Sequence, residues 1–168
     1  MERPVMKPIL DVVFERVAVF VAAATLSVAL VSMAAQVVCR YLLGDSLIWS
    51  EELARYALVW SSMIGAAVAY RQGGHVAITN VVEQLPPMIR IASVRLVHLL
   101  ILLFAGLVTW TGWLLAMRNF ARHQLSAALQ IEIAWIYLAI PAGGLLMMLA
   151  ALEAVATATK PEAGVTTL

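Results

Sequence analysis

Residues 17–39 read VAVFVAAATLSVALVSMAAQVVC, 23 consecutive positions without Asp, Glu, Lys, Arg or His. A helix rises about 1.5 Å per residue, so this run reaches roughly 34 Å, enough for a hydrocarbon core about 30 Å thick. Arg16 and Arg40 bracket it. Working outward, two more runs share the pattern. Residues 96–117 carry only His98 between Arg95 and Arg118, and residues 133–152 lie between Glu132 and Glu153. All three predict transmembrane helices. The whole chain agrees: 63% of it is hydrophobic, 12% is charged, and the mean hydropathy is +0.93. A soluble domain carries about 25% charged residues, so the solvent of this fold is lipid. A net charge of +1 without any basic run gives no reason to expect a nucleic-acid partner.

A fourth segment is less plain. Residues 56–70 are uncharged but too few to span. Extension back to Ser50 gives a sufficient length and puts Glu51, Glu52 and Arg55 in the first turns. Ser50 suits an N-cap, the acids suit the positive end of the helix dipole, and Arg55 stands at pairing distance from both acids. The expected fold is therefore an all-α membrane protein of one domain with four transmembrane helices, spanning about 14–40, 50–71, 94–118 and 132–155. The first run is longer than the apolar part of a signal peptide and follows acids as well as bases, so it is expected to remain a span. Residues 76–85 place Ile78, Val81, Val82 and Leu85 at helical spacing opposite Thr79, Asn80, Glu83 and Gln84. This predicts a short amphipathic helix on the cytoplasmic surface. Residues 156–168 are expected to form a disordered tail.

Lys and Arg counts set an expected orientation. Arg3, Lys7, Arg16, Arg71, Arg90, Arg95 and Lys160 lie on one side, and Arg40, Arg55, Arg118 and Arg122 on the other. Positive charge favours the cytoplasm, which puts both termini and the middle loop inside. Trp49, Trp110, Trp113, Trp135 and Tyr137 cluster toward the outer ends, as an interfacial aromatic belt does.

The spans hold little chemical equipment. None has an Asp, Glu, Lys or Arg at its centre, where a complete transporter or proton path keeps one. Pro141-Ala142-Gly143-Gly144 reads as a kink with small residues for close helix packing. Haem ligation needs facing histidines, but only His98 lies in a span, while His75 and His123 fall in loops on opposite sides. Cys39 is the single cysteine and forms no internal disulfide. No enzymatic constellation and no cofactor or metal site is expected.

Functional residue types are densest over residues 40–78, RYLLGDSLIWSEELARYALVWSSMIGAAVAYRQGGHVAI. Trp49, Leu53, Tyr56 and Trp60 share one helical face, which suits either a protein contact or packing against lipid and neighbouring helices. Gly65 and Ala69 form a small-xxx-small pair lower down. Arg40, Arg55, Glu51 and Glu52 read as an ion cluster at the membrane interface, ahead of a docking site for a soluble partner.

The pattern RY-x4-S-L-x-W-S-E-E-L-A-R-Y-x3-W, followed by G-A-A-x-A-x-R-x-G-x-H-V, resembles the small membrane subunit of tripartite ATP-independent periplasmic (TRAP) transporters. The later S-x-A-L-x-I and W-x-Y-x-A-I-P-x-G are similar to the same family, and the resemblance covers roughly residues 10–155. It implies a bacterial inner-membrane protein with four spans and both termini in the cytoplasm. It also implies a large permease subunit that carries the sodium and substrate sites and moves as an elevator, and a periplasmic binding protein that delivers a small organic acid. Arg40, Tyr41, Ser46, Trp49, Glu51, Glu52, Arg55, Tyr56, Trp60, Gly65, Arg71, His75, Ser126, Leu129, Pro141 and Gly143 fit the family pattern and are expected to hold the subunit's fold and its contact with the large subunit. The chain departs from the pattern after Leu129, where the family often has Gly and this chain has Gln130-Ile131-Glu132. Glu132 is expected either to alter contact with the binding protein or to cap the fourth helix. Two other classes compete: the membrane anchor of a respiratory complex, which needs haem ligands, and a small stand-alone exporter, which needs a membrane-embedded acid.

Overall fold

The charge-free runs are all helical in the computed structural model, which describes residues 11–72 and 87–158. Helix α1 (Val12–Leu43) is α-helical over Val19–Val38 and wound in wider π turns at both ends, Val12–Ala18 and Cys39–Leu43. Gly44, in the left-handed region at φ 72°, closes it, and α2 (Ile48–Arg71) follows. Helix α3 (Pro87–Arg122) runs back to a tight loop, and the last segment consists of one turn, α4 (Ala134–Tyr137), and a long helix, α5 (Ala139–Ala158). The break at Leu138 has a local cause: Pro141 has no N–H to offer the Tyr137 carbonyl. His75, the amphipathic segment 76–85 and residues 159–168 lie outside the described residues.

Among the described residues three helical stretches are long and apolar enough to cross a membrane: Val12–Leu43, Arg95–Arg122 and Ala134–Val155. They contain the three plain runs of the sequence, except Ile133. Helix α2 has 24 residues, about 36 Å of rise, but carries Glu51, Glu52 and Arg55 in its first turns.

The helices form an open row. Among the described residues α1 packs along α2, α2 along α5, and α5 along α3, while the other pairs of long helices barely meet. In the order α1–α2–α5–α3 the edge helices are the barest: 17% of the α1 and α3 spans is buried, against 33% of the α4–α5 span. Lipid tails are as apolar as leucine, so such helices are held by close packing and hydrogen bonds rather than by water exclusion. Small residues line each seam accordingly. Ala29, Ala54 and Ala57 form the α1–α2 contact. A β-carbon on Gly143 would stand 2.7 Å from the Met63 carbonyl oxygen of α2, and one on Gly144 would stand 3.1 Å from the Thr109 nitrogen of α3. The tandem glycines thus let α5 approach both neighbours at once.

The small pair Gly65/Ala69 takes no part in these seams. Nothing lies within 4 Å of where a Gly65 β-carbon would be, and Ala69 is exposed. With Leu58, Ser62 and Ala66 it forms a bare strip on α2.

Candidate functional site

Two polar clusters tie the row together, one at each end. At the end that carries the loop 123–133, the centre is Glu52. Its carboxylate accepts hydrogen bonds from the backbone N–H groups of Ala128 (2.8 Å) and Leu129 (2.9 Å), and from the Tyr56 hydroxyl one turn along α2. The loop presents those N–H groups because it is itself tightly folded. Ser126 N–H donates to the Ile131 carbonyl (2.8 Å), Ile133 N–H donates to the Gln124 carbonyl (3.0 Å), and Leu125 pairs with Glu132 in a single antiparallel bridge. Gln130 turns the chain with φ 56°, and its side-chain amide donates to the carbonyls of Ser126 and Ala127, both at 3.0 Å. Ser126 is buried beside the Glu52–Tyr56 pair, and its hydroxyl makes no hydrogen bond of good geometry among the described residues.

This corrects three expectations. Ser50 is not the N-cap: the helix starts at Ile48, and the buried Ser50 hydroxyl is shared between the Leu47 carbonyl (2.7 Å) and Gln36 Oε1 of α1 (2.8 Å). Glu52 does not pair with Arg55; only Glu51 does, at 3.4 Å and well exposed. Glu132 caps no helix, since the N-cap position of α4 is Ile133 without a side-chain bond. Its carboxylate meets His123 Nδ1 at 3.0 Å.

At the opposite end Arg71 gathers three helices. Its guanidinium forks onto Glu153 of α5 (2.8 and 3.2 Å), bonds Asp11 at the foot of α1, and lies 5.0 Å over the Phe14 ring. Only 14% of the Arg71 side chain is exposed. The adjacent Tyr70 reaches α3, its hydroxyl 2.7 Å from His98 Nδ1. Around these groups Phe14, Ala18, Ile64, Ala67, Ala150 and Ala151 form the main apolar cluster.

The residues singled out by the family pattern therefore fall into two sets. Glu52, Tyr56, Trp60, Arg71, Ser126, Leu129, Pro141 and Gly143 turn wholly or partly inward, and Trp60 packs on the main cluster. Arg40, Tyr41, Ser46, Trp49, Glu51 and Arg55 stand exposed at the loop end, and Gly65 lies on the bare strip. His75 lies outside the described residues. The sequence reading missed Asp11, Gln36, Tyr70, His98 and Glu153 as partners. A usable signal existed for two of them, because Asp11 and Glu153 are acids flanking charge-free runs at the same end as Arg71. No group of three or more His, Cys, Asp or Glu side chains placed to hold a metal exists among the described residues.

A row of apolar helices clamped at both ends by polar groups, three of its stretches long and apolar enough to cross a membrane, is the architecture of a multi-pass membrane protein. Residues 29–160 match the sequence profile of tripartite ATP-independent periplasmic transporters, DctQ component. The chain is 32% identical over 153 residues to the sialic acid TRAP transporter small permease protein SiaQ of Vibrio cholerae, covering 91% of this chain and 85% of that one. It is 33% identical over 120 residues to the sialic acid TRAP transporter permease protein SiaT of Haemophilus influenzae, covering 71% of this chain and 19% of that one. It is also 31% identical over 104 residues to the C4-dicarboxylate TRAP transporter small permease protein DctQ of Rhodobacter capsulatus, covering 62% and 46%. The chain belongs to the DctQ family of TRAP transporter small permease subunits.

Proposed function

We propose that this chain is the static membrane scaffold of a sodium-coupled TRAP transporter that takes up a small organic acid. It crosses the bacterial inner membrane four times, α2 included, with both termini in the cytoplasm and the loop 123–133 in the periplasm. A large permease subunit binds the substrate and sodium and moves as an elevator against this wall, and a periplasmic binding protein delivers the substrate. The chain contributes no substrate, ion or cofactor ligand. The observation that carries this reading is the open row with its charges confined to the two ends. A single layer of helices encloses no polar path, but offers a broad apolar surface to a neighbour. Relatives named as permeases for sialic acid and for C4-dicarboxylates support an acidic substrate.

The test is reconstitution with the large subunit and the binding protein. Uptake driven by a sodium gradient is expected only when both membrane subunits are present. Uptake by this chain alone would overturn the scaffold reading. The contact itself is tested at Trp49, which is exposed at the loop end. Trp49→Ala is expected to weaken co-purification with the large subunit while leaving the fold intact, and undiminished co-purification would assign that indole to lipid.

A further inference from the structure

The loop 123–133 is closed across its neck by backbone and by side chains. Ile133 N–H donates to the Gln124 carbonyl at 3.0 Å, and Ser126 N–H donates to the Ile131 carbonyl at 2.8 Å. Beside them His123 Nδ1 meets Glu132 Oε1 at 3.0 Å. The backbone bonds are indifferent to proton concentration near neutrality. The side-chain contact joins two groups that titrate.

His123 also holds the chain in an unfavourable shape. Its φ of 46° lies in the left-handed region, which strains a residue with a β-carbon. Loss of the Glu132 contact therefore frees a backbone that gains by relaxing. The ring is open to protons, because 82% of the side chain is exposed, while Glu132 is 30% exposed. The other ionisable groups at this end are accounted for. Glu52 holds the Ala128 and Leu129 N–H groups and the Tyr56 hydroxyl, and Glu51 holds Arg55. Arg118 and Arg122 of α3, and Arg40 and Asp45 at the α1–α2 corner, are exposed and make no ion pair among the described residues. Helix α4 adds only the Tyr137 hydroxyl. Arg118 and Arg122 disfavour a further positive charge, so the acid that answers His123 is Glu132.

We propose that His123 and Glu132 form an acid-strengthened latch across the neck of this loop. A neutral histidine gives a carboxylate an ordinary hydrogen bond. Below about pH 6.5 a histidine becomes an imidazolium, and the bond turns charge-assisted and about twice as strong. A proton that binds better to the latched form tightens the latch as pH falls. The gain ends near pH 4.3, about where a glutamate itself takes up a proton. The latched neck aims Ala128 and Leu129 at Glu52, so acid stiffens the loop that ties α3 and α4 to α2. Glu132 belongs to the Gln130-Ile131-Glu132 departure from the family pattern, which the scaffold role leaves without a use. The latch does not depend on the transporter reading; only its exposure to the periplasm does.

Amide hydrogen exchange of the full chain in detergent is measured at about pH 5.5 and about pH 7.5, on either side of the histidine range, with each rate divided by the intrinsic rate at that pH. Protection at Ser126 and Ile133 is expected to be about two- to fivefold greater at the lower pH, the range open to an exposed ion pair. Amides in the middle of α5 are expected not to change. His123→Gln keeps a side-chain N–H that does not titrate here, and is expected to show equal protection at both pH values. Glu132→Gln is expected to do the same. Equal protection in the wild-type chain, or weaker protection in acid, would overturn the proposal. So would a pH dependence that persists in both variants, which would assign the proton to another group such as His98 at the far end of α3.

Discussion

Gln130 occupies a backbone conformation that costs a residue with a β-carbon about 1–2 kcal/mol. Its side chain offsets this by bonding the Ser126 and Ala127 carbonyls, which brace the turn that aims Ala128 and Leu129 at Glu52. Strain and bonds are separable. Gln130→Ala keeps the strain and loses both bonds, while Gln130→Gly loses the bonds and the strain together. Thermal unfolding in detergent should place Gln130→Ala below Gln130→Gly by about 1 kcal/mol, and the reverse order would show that the backbone at position 130 carries no strain. Glu52 is tested through the backbone donors that it holds. Glu52→Gln puts an amide N–H₂ group where two backbone N–H groups converge, so amide hydrogen exchange at Ala128 and Leu129 should accelerate while exchange deep in α5 stays put. The family pattern marks Glu52 and shows Gln130 as a departure from it, but the partners of neither were legible. Spacing rules see neighbours three or four positions away and so offered Arg55 to Glu52, whereas its bonds run to backbone 76 and 77 residues distant. The departure at Gln130 was visible as a missing glycine, and the positive φ explains why a glycine would suit that position.

At the scale of elements, α2 carries most of the structure's specificity because it has neighbours on two sides and a bare third side. Toward α1 it presents Ser50, Ala54, Ala57 and Ser61, whose hydroxyl bonds the Ala22 carbonyl at 3.0 Å. Toward α5 it presents Met63 against Gly143. Away from both lie Leu58, Ser62, Ala66 and Ala69. Two glycine substitutions distinguish the packed side from the bare one. Gly143→Ala meets the Met63 backbone, which cannot swing aside, and should cost about 1–3 kcal/mol. Gly65→Ala meets nothing and gains helix propensity, so it should be neutral or stabilise by about 0.5–1 kcal/mol. Reversible unfolding of the two variants in the same detergent checks both signs. The three plain runs do fall in stretches long and apolar enough to cross a membrane, since a run of twenty or more largely apolar residues has few alternatives. The sequence reading misplaced the start of α2 because a serine followed by two acids satisfies the N-cap rule locally. Burial beside Gln36 of α1, a contact across fourteen residues, decides otherwise.

For the whole molecule the question is what keeps a single layer of helices from rearranging in lipid. A closed bundle buries a central core. Among the described residues this row has its seams, the apolar cluster around Phe14 and Ala67, and its two clamps. The Arg71 clamp is the stronger candidate for holding the order α1–α2–α5, because one guanidinium joins all three helices at once. The sequence marked Arg71 by its place in the family pattern, yet it gave no reason to choose Glu153 and Asp11 over other end charges, because helix order is not written in helix periodicity. A double-mutant cycle with Arg71→Gln and Glu153→Gln tests the clamp. Hydrogen bonds to charged groups contribute about 1.5–3 kcal/mol each, less where water reaches them, so Arg71→Gln should cost about 1–3 kcal/mol of unfolding free energy. The pair should show a coupling of at least about 0.5 kcal/mol, as groups in one network do. Additive losses would mean that the helices are ordered by their small-residue seams alone and that Arg71 merely decorates the junction. Substantial coupling, joined to weakened assembly with the large subunit, would mean that the clamp fixes the plane of the wall on which a moving partner depends.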